Sequence, residues 1–192
     1  MPRYVLFAGV NGAGKSTMFH VNQELGDMPR INNDEILRSF GGDWRNKDDE
    51  KKAALLAVSK EKELLDHKKS FNKETTLSSR GSLSNIKMYK EFGYDVELRY
   101  VGLDSPDTAI RRINKRVCDG GHGIPEEKVR ERYYKSIDNL AKVIPYCDSV
   151  IVYDNTQMYR TIATFEQGKM TGLSNNIPEW FGKVLDKLNK TV

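Results

Sequence analysis

The chain has 192 residues, with 31 Lys plus Arg against 27 Asp plus Glu and a formal net charge of +4. That length fits one domain with a real core, and 38% hydrophobic with 30% charged residues of both signs excludes wholesale disorder. No stretch reaches the roughly 18 apolar residues of a membrane helix, and so mild a positive charge suits anionic small molecules better than nucleic acid. The apolar run from Tyr4 to Val10 is too short for a secretory segment and leads into glycines. Two cysteines, Cys118 and Cys147, make no disulfide framework, so a cytoplasmic protein is expected.

In chain order, a β-rich run at 3–8 precedes a glycine-rich turn and a helix predicted over 15–25. A short strand at 29–32 ends in polar residues and Asp34. The apolar spacing at 53, 54, 57, 58, 64 and 65 predicts a helix over 48–65. A strand at 70–74, a helix at about 83–92 and a strand at 95–101 follow. Ser105-Pro106 supplies an N-cap and a first-turn proline for a helix running to about Val117, which stops at Gly120-Gly121. Another helix is predicted from Pro125 to about Val143, then an apolar strand at 149–153, a hairpin at 159–166 and 169–173, and a last helix from about Pro178. Strands separated by helices imply an α/β fold with a largely parallel sheet and helices on both faces. One domain is expected, residues 1–192, with a lid at about 105–143 and a C-terminal hairpin and helix at about 157–192.

Gly9-Val10-Asn11-Gly12-Ala13-Gly14-Lys15-Ser16 fits the Walker A pattern G-x-x-x-x-G-K-S/T residue for residue. Glycines let the backbone wrap so that successive amides face phosphate oxygens, and the following helix offers its N-terminal N–H groups and positive dipole end. Lys15 reaches the β and γ phosphates, Ser16 is the expected Mg²⁺ ligand, and Thr17 continues the ATP-binding set. A chance glycine turn would not fall between an apolar strand and a helix.

Acidic candidates stand at strand ends, where ligands of open α/β sheets bind. Asp34, past the second strand, suits a base that accepts a hydroxyl proton or a holder of Mg²⁺ through water; the alternative is a helix N-cap. Glu74, with Thr75 and Thr76, suits a substrate site, or simply a polar strand-to-loop transition. Asp154, after the apolar run Val150–Tyr153, matches a Walker B carboxylate only loosely. Arg111, Arg112, Lys115 and Arg116 include like-charged i, i+4 pairs, which repel unless solvated or facing an anion. With Gly120-Gly121-His122-Gly123-Ile124-Pro125 and then Lys128, Arg130 and Arg132, they form a basic lid that would stabilise a transferring phosphoryl group.

Together, Gly9–Ser16, Ile31-Asn32-Asn33-Asp34, Glu74-Thr75-Thr76 and Gly120-Gly121-His122-x-Ile124-Pro125 resemble the zeta toxin family of P-loop kinases, over about Tyr4 to Asn155. Within it the chain looks like a short branch often labelled "predicted ABC-type ATPase", although no transporter signature is present. The resemblance implies phosphorylation of a nucleotide-sugar hydroxyl, with UDP-N-acetylglucosamine as acceptor, ATP and Mg²⁺ as cofactors, and an antitoxin as protein partner. It also implies that Lys15 and Ser16 hold phosphate and Mg²⁺ and that Asp34 is the base. Glu74 and Thr75 would face the sugar nucleotide, Arg116 the donor phosphates, and His122, or alternatively Arg132, would be the second lid group. One acid of the family, on the helix before the third strand, has no clear match in 58–62, with Glu61 and Glu63 nearby. Two other functions compete: a nucleoside or polynucleotide kinase, for which only Tyr133 and Tyr134 offer aromatic stacking beside the basic helices, and an ATP-binding switch without transfer.

Overall fold

The computed structural model describes residues 1–22 and 25–190. Its central strand is β1 (Arg3–Ala8), in which Val5, Phe7 and Ala8 are fully buried and Tyr4 and Leu6 nearly so. A strand covered on both faces shows a continuous apolar run rather than alternation. β1 pairs in parallel with β3 (Phe71–Thr75) on one side and β4 (Asp95–Gly102) on the other. β2 (Arg30–Ile31) adds to β3, and β5 (Ser149–Asp154) adds to β4, both in parallel. β6 (Arg160–Glu166) and β7 (Lys169–Leu173) extend the same sheet as an antiparallel ribbon, giving the order β2-β3-β1-β4-β5-β6-β7. This is the α/β, P-loop-type architecture that the alternation of strands and helices predicts.

Parallel neighbours need crossover connections. Helices α1 (Lys15–Val21), α2 (Asn33–Ser39), α3 (Lys47–Asp66), α4 (Ser82–Glu91), α5 (Pro106–Cys118) and α6 (Glu126–Val143) occupy them, and α7 (Glu179–Asn189) closes the described chain. The structure ends α1 at Val21 rather than 25, and Gln23 and Glu24 of the predicted helix lie outside the described residues, as do Thr191 and Val192 of the tail. α5 begins as the sequence predicts: Ser105 Oγ accepts from Thr108 N at 3.2 Å, with Pro106 in the first turn. α2 begins earlier than expected because Asn32, not Asp34, is its cap, accepting from the backbone N–H groups of Asp34 and Glu35 at 2.9 and 3.3 Å. The carboxylate of Asp34 is thereby left for other work.

The segment 105–143 is less of a flap than its charge suggests. On α6, Val129, Tyr133, Ile137 and Leu140 are buried, and the Tyr133 hydroxyl donates to the carbonyls of Leu103 and Asp104, each at 2.9 Å. The helix is anchored, and what faces the cleft is the loop 119–125 with Arg112 and Arg116 of α5 and Lys128 and Arg132 of α6. Asp154, the loose Walker B candidate, serves the C-terminal elements instead. Its carboxylate accepts from Trp180 Nε1 at 3.2 Å and pairs with Arg160 at 3.2 Å, while Trp180 packs on Tyr100. No helix among the described residues is long and apolar enough to cross a membrane.

Cys147 is buried and donates to Val143 O at 3.4 Å, and burial pushes its thiol up to about 12, whereas Cys118 is exposed. Since thiolate is the reactive form, one equivalent of iodoacetamide is expected to label the native chain at pH 8, on Cys118, and two equivalents in denaturant, as read by intact mass.

Candidate active site

The glycine-rich segment 9–16 joins β1 to α1 at the carboxyl end of the sheet. There the neighbours of β1, namely β3 and β4, lead away to opposite sides, which is the switch point where open α/β sheets bind ligands. Gly14 has φ of 100°, and a Cβ there would collide with the Tyr159 hydroxyl and lie 2.7 Å from Asn155 Nδ2. The crowding reflects two tethers. Asn155 Nδ2 donates to Ala13 O at 2.8 Å, and the Tyr159 hydroxyl donates to Gly14 O. With these carbonyls held on one side, the loop can present amides on the other, the arrangement that cradles phosphate.

Lys15 is only 6% exposed. Its ammonium donates to Val10 O at 3.1 Å and stands 3.8 Å from Glu74 Oε1. Burial lowers its pKa, while Glu74 and then Asp34 act in the opposite direction. The other oxygen of Glu74 is a hub: it accepts from Arg30 Nη2 at 2.6 Å, Asn32 Nδ2 at 2.9 Å and Ser16 Oγ at 2.9 Å. Arg30 is in turn paired with Glu35 at 2.9 Å. The carboxylate expected to face substrate therefore also reaches the Walker A lysine and serine, which follows from the parallel pairing of β3 with β1.

Two adjoining cavities meet over this cluster. The first, of about 800 Å³, is lined by the phosphate loop with Arg112, Arg116 and Gly120-Gly121. The second, of about 570 Å³, is lined by Thr75, Thr76, Glu50, Lys128 and Arg132. Asn11, Lys15, Asp34, Glu74, Trp44 and His122 belong to both. His122 Nδ1 is 3.9 Å from Asp34 Oδ1, too long for a hydrogen bond. Burial holds the imidazole below its ordinary pKa against the pull of Asp34, so the neutral ring prevails at pH 7. Nε and Nη2 of Arg116 are buried and find no partner among the described residues. Arg116 also lines the first cavity beside the phosphate loop, so these two donors lie at its wall.

The structure thus gathers Lys15, Ser16, Thr17, Asp34, Glu74, Arg116 and His122 around the first cavity, with Asn11, Gly12 and Gly14. Gly9 and Ala13 shape the loop without lining either cavity. Arg132 lines the second cavity only, and donates to Asn11 Oδ1 at 3.1 Å, tying α6 to the loop. The hydroxyl of Thr75 accepts from Leu77 N at 3.1 Å and that of Thr76 pairs with Ser78 at 2.7 Å. Glu61 lines neither cavity, being engaged by Lys73 at 2.7 Å and by the Tyr89 hydroxyl. The acid that α3 does bring to the second cavity is Glu50, in its first turn. Sequence reasoning missed Arg30, Trp44 and Arg45. The signal available for Arg30 was a charged residue inside the strand predicted at 29–32; for Trp44, an aromatic in a polar loop.

The donor set fits Mg²⁺ brought in with a nucleotide. Ser16 Oγ and the Glu74 carboxylate are hard oxygens 2.9 Å apart beside the phosphate loop, so Ser16 would hold the ion directly and Glu74 through water. The ion would supply neutralisation of charge on the phosphates.

A Walker A turn at the switch point, faced by a basic helix pair, defines a P-loop nucleotide-binding protein with the kinase type of sheet. A family model described as zeta toxin matches residues 1–164, and the chain belongs to that family. A protein of Haemophilus influenzae described as uncharacterized is 32% identical over 132 residues, covering 67% of this chain and 91% of that one. Among solved structures, the AvrRxo1-ORF1:-ORF2 complex with ATP superimposes with a TM-score of 0.76 at 17% identity, over 96% of this chain. The present chain spans 63% of that protein. The PezAT chromosomal toxin–antitoxin system of Streptococcus pneumoniae gives a TM-score of 0.60 at 19% identity, covering 100% of this chain and 88% of that one. At such identities the likeness is one of fold.

Because two buried nitrogens of Arg116 are unsatisfied, Arg116→Met is expected to stabilise the nucleotide-free protein by about 1 kcal/mol, the scale of an unpaired buried donor. The same substitution should weaken ATP binding. Urea denaturation with and without nucleotide, paired with calorimetric titration, reads both effects.

Proposed function

We propose that the protein is an ATP-dependent kinase that transfers the γ-phosphoryl group to a hydroxyl, with UDP-N-acetylglucosamine as the first acceptor to test. Family and fold support the phosphotransferase class. The observation that carries the reading is the pair of cavities sharing Lys15, Asp34, Glu74 and His122, one bounded by the phosphate loop and Arg116 and the other by Thr75 and Thr76. That is the arrangement a donor and an acceptor need for in-line transfer.

In this reading the loop amides and Lys15 bind the β and γ phosphates, and Arg116 reaches the transferring group. Asp34, its backbone N–H spent on Asn32 and its carboxylate 3.9 Å from His122 Nδ1, accepts the proton of the attacking hydroxyl. Thr75 and Thr76, with the lysine and arginines at the rim of the second cavity, suit an acceptor that carries its own phosphates. An acidic residue of the family's acceptor site is unmatched at 58–62, and Glu50 is the acid of α3 positioned to replace it. A protein antitoxin as partner, by analogy with the PezAT system, and a cytoplasmic setting belong to the same proposal.

The test is mass spectrometry of UDP-N-acetylglucosamine incubated with protein, ATP and Mg²⁺, with Lys15→Ala as the control. A product heavier by one phosphoryl group and absent from the control is expected. Asp34→Asn should lower that transfer by about 10²- to 10⁴-fold while leaving ATP affinity within a few-fold, as for loss of a general base. Transfer undiminished in Asp34→Asn would remove Asp34 as the base. Intact ATP binding with no product would reject this acceptor and direct attention to nucleosides and nucleic-acid ends.

A further inference from the structure

Two loops from opposite sides of the cleft meet above the shared cluster. One, residues 40–46, joins α2 to α3; the other, 119–125, joins α5 to α6. They meet through Trp44 and His122, whose ring centroids are 5.1 Å apart at an interplanar angle of 34°. The contact extends to Gly123, where a Cβ would lie 2.7 Å from the indole edge, so the loops could not approach as they do with any side chain at that position. The guanidinium of Arg45 also lies over the indole, 4.2 Å from its ring.

The first loop is built to hold the indole there. Gly42 N donates to Leu37 O at 3.0 Å, Arg45 N to Asp43 Oδ1 at 2.9 Å, and Asp43 N to Asp49 Oδ2 at 3.0 Å. Trp44 and His122 line both cavities together with Lys15 and Asp34, so their contact stands at the junction where a phosphoryl group would pass from one to the other. Neither Lys15 nor Asp34 bonds to the indole, and no chemistry calls for it.

We propose that Trp44 is a positioning residue that clasps the loop 119–125 over the transfer point and keeps bulk water from it; the proposal rests on the kinase reading above. A P-loop kinase whose transfer point is open loses ATP to water, because a water oxygen can attack the γ-phosphorus in place of the acceptor hydroxyl. In that step the bond from γ-phosphorus to the β–γ bridging oxygen breaks, ADP leaves with the electron pair, and the products are ADP, inorganic phosphate and a proton. Trp44 and Gly123 would suppress this by holding the roof down, while Asp34 and Lys15 remain in place beneath it.

The experiment compares wild type with Trp44→Ala, Trp44→Phe and Gly123→Ala in ATP and Mg²⁺ without acceptor. It measures phosphate release together with hydrogen–deuterium exchange of residues 119–125. Trp44→Ala and Gly123→Ala, which open the contact from opposite sides, are expected to raise phosphate release at least five-fold and to speed exchange in 119–125. Trp44→Phe, which keeps an aromatic ring, should stay within two-fold of wild type in both. A thermal midpoint close to wild type separates loop opening from general destabilisation. Exchange in 119–125 unchanged by Trp44→Ala, or phosphate release no higher in either opening variant, overturns the clasp. Failure of the kinase reading would look different: a closed, protected loop in a wild type that binds ATP but phosphorylates no hydroxyl.

Discussion

Burying the ammonium of Lys15 is the constraint around which the cleft is arranged. A cation with so little exposure needs a compensating charge and saturated donors. Here the compensation comes from Glu74, brought alongside by the parallel pairing of β3 with β1. Glu74 would itself be a costly buried anion, and Arg30, Asn32 and Ser16 supply its hydrogen bonds. Asn32 in turn caps α2, so the charge balance under the phosphate loop and the start of the helix bearing Asp34 depend on one side chain. Arg116 is left out of this accounting, with two buried nitrogens unsatisfied. The cluster is balanced without ligand; the wall facing it is not.

Much of this architecture was legible in the residues because the deciding physics was local. The Walker A segment, the Ser105-Pro106 start of α5 and the buried run of β1 each carry their reason within a few positions. Asp34 shows where local reasoning falls short. Aspartate is a good N-cap, yet Asn32 stands two residues earlier and took the role, a competition that sequence preference alone does not resolve. Asp154 ends an apolar strand as a Walker B carboxylate would, but Trp180, 26 positions on, captures it. Glu74 was legible as a site acid and not as the partner of Lys15, because that depends on which strand neighbours β1. Trp44 was invisible for the same kind of reason: its meaning lies wholly in the approach of a loop some 80 residues away, and Gly123 reveals its purpose only when the indole is beside it.

The anchoring of α6 divides labour across the cleft. Its buried face and the paired bonds of Tyr133 fix the far wall, so the arginines of this helix have settled positions. The loop 119–125 is fastened at its two ends, by the bond from Gly121 N to Arg116 O at 2.8 Å and by Ile124, which packs against the core. Arg132 joins the fixed wall to the phosphate loop through Asn11.

The tethers from Asn155 and Tyr159 to the carbonyls of Ala13 and Gly14 give the order of synthesis a biochemical meaning. The residues that hold the carbonyls of the Walker A segment lie more than 140 positions after it, so the segment leaves a ribosome well before its supports. At about 5–20 residues per second, translation would leave the loop without these supports for many seconds. A nascent chain therefore carries the motif well before it carries the finished nucleotide cradle.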